Sequence, residues 1–310
     1  MGEFELIERI RARARADDSV VVGIGDDAAI LAPTPGTELA VTTDSLVLDR
    51  HFTTDWPPQD IGHLAAQANL SDLAAMGACA RWALLALTLP DDNPRWLDAF
   101  LDGFLDAADA AGMVLVGGNL ARGPLNIGVQ LIGQVSSGGA VTRSGARAGD
   151  CLAVTGTLGD AAAALELGPA APAALKMRLR RPTARLQAGR ALSGQAHAMI
   201  DLSDGLLADL AHLLGPGQGA ELDLDTLPAT AALLEAVDDR DLRWRLQTGG
   251  GSDYELLVAL PDDADLLSLS EAAGVALTAI GRVTGSGRIE CRSRHPVPEL
   301  LGRGWDHFSP

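Results

Sequence analysis

Lysine is all but missing from this chain: Lys176 is the only one in 310 residues. That absence excludes whole chemistries. A Walker-type phosphate loop ends in Gly-Lys-Ser/Thr and a protein kinase needs a lysine on a strand, and Lys176 sits in neither setting. It lies in a basic helical stretch, Lys176-Met177-Arg178-Leu179-Arg180-Arg181, with no glycine loop before it. Schiff-base chemistry through any other lysine is excluded as well. Any phosphate this protein handles must be met by arginine, backbone N–H groups and metal ions.

Cysteine is scarce too. Cys79, Cys151 and Cys291 lie far apart and form no metal-ligand spacing, so they read as reduced packing residues. No apolar run is long and uncharged enough to span a bilayer, and Met1-Gly2-Glu3-Phe4-Glu5 lacks a basic, apolar signal region; a soluble cytoplasmic protein is expected. Positive charge is in deficit, 24 Lys and Arg against 41 Asp and Glu, for a net −17. That balance argues against nucleic acid or an anionic membrane as partner. Short-period repeats and low-complexity tracts are absent, and Asp223-Leu224-Asp225 lacks the glycine and spacing of a calcium loop.

What the chain does have is aspartate where strands are predicted to end. Val20-Val21-Val22-Gly23-Ile24-Gly25-Asp26-Asp27 and Leu39-Ala40-Val41-Thr42-Thr43-Asp44 are β-branched runs that finish in acid. Two strands delivering Asp27 and Asp44 to one edge would gather charge that is costly without a cation; Gly25-Asp26-Asp27 alone fits an ordinary turn better. Pro57 and Pro58 open a helix predicted to reach about Met76. On it Ile61, Ala65, Ala68 and Asp72 share one face, with Asn69 one turn before the acid. A carboxylate on a packed face needs a partner, either local backbone or a metal. Arg81 to Leu89 and Leu125 to Val135 read as strands, Asp92 to Ala111 as a helix, and Met113 to Val116 as a buried strand breaking at Gly117-Gly118-Asn119.

A domain boundary is expected in the turn-rich stretch ending Thr142 to Asp150, giving domains 1–147 and 148–310. After strand Cys151 to Val154, Thr155-Gly156-Thr157-Leu158-Gly159-Asp160 precedes an alanine-rich helix and offers either a phosphate cradle or a plain strand-to-helix turn. Asp201-Leu202-Ser203-Asp204-Gly205 opens a helix at Leu206, with Ser203 suited to cap it. A helix from Ala229 to Val237 and a loop Thr248 to Asp253 lead into strand Tyr254 to Leu260. Both halves mix strands and helices with antiparallel-looking connections, which places the chain in the α+β class.

In order, these motifs resemble the thiamine-monophosphate kinase family, within the superfamily of aminoimidazole ribonucleotide synthetase and selenophosphate synthetase. The resemblance runs through Gly2-Glu3-Phe4-Glu5-Leu6-Ile7, Gly23-Ile24-Gly25-Asp26-Asp27, Thr42-Thr43-Asp44 and Asn69-Leu70-Ser71-Asp72 to Met76-Gly77. It continues through Arg143-Ser144-Gly145-Ala146, Thr155 to Asp160, Ile200 to Leu206, Asp253-Tyr254-Glu255 and Gly304-Trp305-Asp306-His307-Phe308. It implies a two-domain α+β fold whose N-terminal sheet domain dimerises, and ATP-dependent phosphorylation of thiamine monophosphate with several Mg²⁺ ions and no covalent nucleophile. By motif position it implies Asp27, Thr42, Thr43, Asp44, Asp72, Asn119, Asp201 and Asp204 as metal ligands. Gly118, Arg143 and Ser203 would contact ATP, and His51, Ser252 and Trp305 would bound the thiamine side. A homodimer is implied as well.

Two departures from the family pattern bear on the site. Asn119 in Gly117-Gly118-Asn119 stands where a metal-binding aspartate is usual, and Ser252 in Gly250-Gly251-Ser252-Asp253 where a glutamate is usual. A neutral amide still offers an oxygen but brings no charge, so the affinity for one Mg²⁺ is expected to fall. The pair leaves open a relative with another phosphorylated acceptor, or a dimer that binds nucleotide without turnover.

Overall fold

The computed structural model describes residues 2–299 together with Leu301, Gly302, Gly304 and Trp305. The chain divides into two units: one takes the chain up to Leu73 and Ala78–Gly138, the other Ala74–Gly77 and the chain from Gly139 onward. No helix among the described residues is long and apolar enough to cross a membrane.

The first unit begins with α1 (Glu3–Arg11), a hairpin of β1 (Val20–Val22) and β2 (Ile30–Leu31), and the long strand β3 (Thr37–Val47). Then come α2 (Pro58–Ala75), β4 (Cys79–Leu89), α3 (Pro94–Ala110), β5 (Val114–Arg122) and β6 (Asn126–Ser136). The four long strands form a sheet in the order β3-β6-β4-β5, antiparallel except where β4 pairs β5. That parallel pair needs a crossover, and α3 supplies it. Asn93 caps α3 by accepting the Trp96 N–H, and Trp96, Phe100 and Phe104 stack along the helix. Ile61, Leu70 and Leu73 of α2, Phe100 and Phe104 of α3, and Leu87 and Ile127 of the sheet are fully buried and form this unit's core.

The second unit contains β7 (Cys151–Thr155), α4 (Asp160–Leu167), α5 (Ala173–Arg180), α6 (Leu186–Leu192), β8 (Ala198–Asp201), α7 (Leu206–Leu213) and β9 (Gly219–Asp223). It ends with α8 (Ala231–Ala236), α9 (Arg240–Gly249), β10 (Leu256–Leu260), α10 (Leu266–Ala273), β11 (Leu277–Thr284) and β12 (Ile289–Arg292). Its strands run β12-β9-β11-β7-β10-β8 and are antiparallel apart from β12 with β9. β10 is buried at every residue, as an apolar run in the middle of a doubly covered sheet should be.

Several sequence expectations change. Asp44 does not end its strand: β3 continues to Val47, with Asp44 paired to Val129. Likewise β5 does not break at its glycines but runs on through Asn119 to Arg122. A bulge at Val116 lets Leu84 pair with Gly117, and Gly118 then lies so close to β4 that a Cβ would stand 1.9 Å from the Leu85 carbonyl oxygen. Only glycine fits there. Helix α9 was not expected, although Asp239 caps it and Leu242 and Leu246 stand four apart.

Candidate functional site

Side-chain alternation along β3 sorts the expected metal ligands onto two faces of the first sheet. Thr43 and Ser45 face a groove of about 1110 Å³, which is also lined by Asp26 and Asp27, by Gly118 and Asn119 of β5, and by Glu8 and Arg11 of α1. Asp27 reaches it from a tight turn in which its N–H donates to the Asp26 carboxylate (2.9 Å). Thr42 and Asp44 fall on the opposite face, where the Thr42 hydroxyl donates to the Asp72 carboxylate of α2. Burial, with the charge of Asp44 added, pushes Asp72 up to about 6 against the pull of the Thr42 hydroxyl. Asn69, one turn before Asp72, is buried with its side-chain oxygen unpartnered, while its amide donates to the Ala65 carbonyl (3.1 Å). Beyond the end of β3, His51 sits in a turn where its Nδ1 accepts the Val47 N–H (3.0 Å), so the neutral ring carries its proton on Nε2.

In the second unit the expected residues are tied to one another through the backbone. Asp201 ends β8 and is buried. The Ser252 N–H donates to the Ser203 carbonyl (2.8 Å), the Tyr254 N–H to that of Leu202 (2.9 Å), and the Trp305 N–H to that of Asp204 (2.9 Å). The loop of Asp201 to Gly205 and the loop of Gly251 to Tyr254 are therefore one built piece, with Trp305 against it. Ser252 and Tyr254 both hold positive φ, 66° and 51°, which costs backbone strain that the surrounding bonds must offset. Arg143 is exposed beside β8, in a segment anchored by the Met199 N–H on the Thr142 carbonyl (3.1 Å). Asp306, His307 and Phe308, quoted in the terminal motif, lie outside the described residues.

The acids that hold this piece together were not singled out from the sequence. Glu255 is fully buried and takes a forked pair from Arg185, Nε to Oε2 at 2.6 Å and Nη2 to Oε1 at 2.5 Å. Arg178 adds a third bond (2.9 Å) and the Thr155 hydroxyl a fourth (2.7 Å). Asp253 accepts the Gly159 N–H (3.0 Å) at the start of α4, and burial, with Glu255 nearby, raises its carboxyl well above the ordinary range despite that bond. The N-terminal end of α4 is thus met by the protein's own carboxyl, the contact a plain strand-to-helix turn would make. Ser203 does not cap α7 either. Asp209, inside that helix, accepts the N–H groups of Asp204 (3.2 Å) and Gly205 (3.0 Å). Its carboxyl is pushed up to about 7 by burial and by Asp204. A signal was present: Leu206, Asp209, Leu210 and Leu213 form one helical stripe, and a lone acid on it marks a partnered group.

Among the described residues, no group of three or more His, Cys, Asp or Glu side chains is gathered closely enough to hold a metal ion by itself. The expected site residues are instead distributed: Asp27, Thr43, Gly118 and Asn119 on the groove, Thr42, Asp44 and Asp72 across the sheet, and Asp201, Ser203, Asp204, Ser252 and Trp305 in the second unit.

Comparison with known proteins shows which family shares this fold. The AIR synthase related protein, N-terminal domain, matches residues 25–135, and the AIR synthase related protein, C-terminal domain, matches residues 147–293. The thiamine-monophosphate kinase of Escherichia coli (strain K12) is 42% identical over 323 residues, covering 99% of this chain and 98% of that one. The crystal structure of thiamine-monophosphate kinase from Stenotrophomonas maltophilia K279a matches with a TM-score of 0.87 at 42% identity, over 94% of this chain and 96% of that chain. AaThiL complexed with AMPPCP and TMP matches with a TM-score of 0.77 at 33% identity, over 99% and 97% of the two chains. On its α+β fold and its nearly full-length likeness to these relatives, the chain belongs to the thiamine-monophosphate kinase family of AIR synthase related proteins.

Proposed function

We propose that this chain transfers the γ-phosphoryl group of ATP to thiamine monophosphate, giving thiamine diphosphate and ADP, in the cytoplasm. The observation that carries this reading is the likeness, over nearly the whole chain, to kinases named for that acceptor, one of them complexed with AMPPCP and TMP. Transfer between two phosphates needs no covalent nucleophile. An acceptor phosphate oxygen attacks in line, and the protein supplies alignment and charge.

Asp27, Thr42, Thr43, Asp44, Asp72, Asn119, Asp201 and Asp204 would hold Mg²⁺ ions. All are oxygen donors, as Mg²⁺ requires, and a half-buried Asp72 raised in part by Asp44 is a pairing that a divalent cation relieves. Bound there, the ions would offset the negative charge that builds on the phosphates. The side chains do the rest. Arg143 and Ser203 bind the nucleotide, and the Gly118 backbone lets it approach the sheet closely. His51, with its proton on Nε2, donates to the acceptor, while Ser252 and Trp305 bound the thiamine side. The backbone bond between Ser203 and Ser252 supports a coupling of nucleotide and acceptor positions in the 148–310 domain.

The 1–147 domain carries the ATP and Mg²⁺ ligands and pairs with a second copy to form a homodimer. Leu39 and Val41, 52% and 67% exposed on the edge strand β3, support that pairing. The test is purified protein with ATP, Mg²⁺ and thiamine monophosphate, scored for thiamine diphosphate. Product that disappears in Asp44→Ala is the expected result. Nucleotide binding without product would redirect the reading to another phosphorylated acceptor or to a non-catalytic binding dimer, the alternatives that Asn119 and Ser252 favour. Absence of any nucleotide binding would overturn the site.

A further inference from the structure

The groove of the first unit has a lopsided charge. Among the described residues lining it, Glu8, Asp26 and Asp27 are acidic and Arg11 is the one cation. The helix aims it there. Arg9, Arg11 and Arg13 follow at steps of two, roughly 200° apart around an α-helix, so Arg9 and Arg13 share a side and Arg11 takes the other. Arg9 is held by Asp98 of α3 through a forked pair at 2.5 Å. Arg13 donates to the Asp98 carbonyl (2.8 Å) and pairs with Asp102. These contacts fix the rotation of the chain at the end of α1. The Arg11 guanidinium therefore lies over the turn before Asp27, its Nη1 3.3 Å from where a Cβ on Gly25 would stand.

The partner of Arg11 is Glu8 at 3.3 Å, with both side chains more than half exposed. A solvated pair of this kind contributes little to stability, so redirecting the guanidinium toward a stronger anion costs little. A polyphosphate entering beside three carboxylates is repelled by them, and a forked guanidinium is the protein group best shaped to offset that. This unit has no lysine to share the task.

We propose that Arg11 is a phosphate contact of the groove, its guanidinium binding the polyphosphate of the nucleotide beside the Gly25-Asp26-Asp27 turn. The inference rests on the reading above, which sets the nucleotide's phosphates against Asp27. The experiment is calorimetric titration of the full chain with ATP and Mg²⁺, comparing the parent with Arg11→Ala, Arg11→Lys, Arg15→Ala and Asp27→Asn. Arg15, paired with Asp109 at 3.7 Å, matches the change of charge without lining the groove. Arg11→Ala is expected to weaken ATP binding about tenfold or more, as for a lost hydrogen bond to a charged group, with the melting temperature unchanged. Arg11→Lys should recover part of the loss, and Arg15→Ala should stay within about twofold. Equal losses in Arg11→Ala and Arg15→Ala would reduce the effect to net charge and overturn the proposal. An Arg11→Ala that binds like the parent while Asp27→Asn weakens would also overturn it, leaving the functional reading intact. If both bind like the parent, the groove is not where the phosphates lie, and the reading falls with the inference.

Discussion

The acids of the two units answer to different partners. In the second unit Glu255, Asp253 and Asp209 are enclosed, and each is met by donors of the chain itself: two arginines and a hydroxyl, one backbone N–H, and two backbone N–H groups. In the first unit Asp27 and Asp44 are exposed, and the half-buried carboxylate of Asp72 feels the charge of Asp44. Enclosed carboxylates build loops, because leaving them unmet would cost several kcal/mol. Carboxylates exposed beside one another are poor architecture and good cation ligands. Acidic side chains thus do opposite work in these two sets.

Glu255→Ala tests the architectural side most severely. It leaves the Arg185 and Arg178 guanidinium groups facing a hole, and breaking a buried ion pair from one side costs about 3–5 kcal/mol. Asp27→Ala, on an exposed turn, should cost less than about 0.5 kcal/mol. Urea unfolding of both variants reads the difference. A Glu255→Ala that unfolds at the parent's midpoint would erase the contrast between the units.

The contrast also explains which parts of the molecule could be read from the sequence. Strand and helix existence followed from periodicity and punctuation: the β-branched run at Val20, the Pro58 start of α2 and the apolar run of β10 are local signals. Strand ends were misjudged at Asp44 and Asn119 because glycine and acid read as punctuation, whereas pairing with β6 and β4 carries both strands onward. Asp72 was legible because it interrupts an apolar stripe on one helix. Glu255 was not, because its partners Thr155, Arg178 and Arg185 are brought to it only by the pairing of β10 with β7 and by the packing of α4 and α5. The split of Thr43 from Thr42 and Asp44 follows from period-two alternation, yet which face opens on a groove depends on where α1 and α2 dock.

A pH series sharpens the comparison. The Asp209 carboxyl sits at about 7 in the folded chain, above the 3.8 it has when free. Its folded pKa is raised, so the stability linked to its proton is fully present below about pH 4 and is lost as pH rises through about 7. On the order of 2–4 kcal/mol is at stake for so large a shift at a buried group. Asp209→Asn should flatten the fall in unfolding free energy between about pH 4 and pH 7. Asp72 follows the same sign over a lower window that closes near 6. For Asp72 the fall should shrink when Mg²⁺ is added, because a cation favours the charged form. A slope that Asp209→Asn leaves untouched would mean that its carboxyl is ionised throughout, and one at Asp72 that ignores Mg²⁺ would remove it from the cation ligands.

The smallest effect isolates a single charge. Asn119 faces the groove with Asp27, on a strand held in register by the pairing of Asn119 with Ala86, so Asn119→Asp changes charge with little change of shape. Without Mg²⁺ the new carboxylate joins Glu8, Asp26 and Asp27 on one groove, and the melting temperature should fall slightly. With Mg²⁺ the added charge strengthens an oxygen site, and the Mg²⁺ concentration for half-maximal activity should fall roughly threefold to tenfold, since ligand charge tunes the affinity of oxygen sites. Stability without Mg²⁺ and affinity for Mg²⁺ must therefore change in opposite directions. A lower melting temperature with no gain toward Mg²⁺ would make the groove acids mere mutual repulsion. A gain in both would mean that the strand, rather than the cation, was what the amide disturbed.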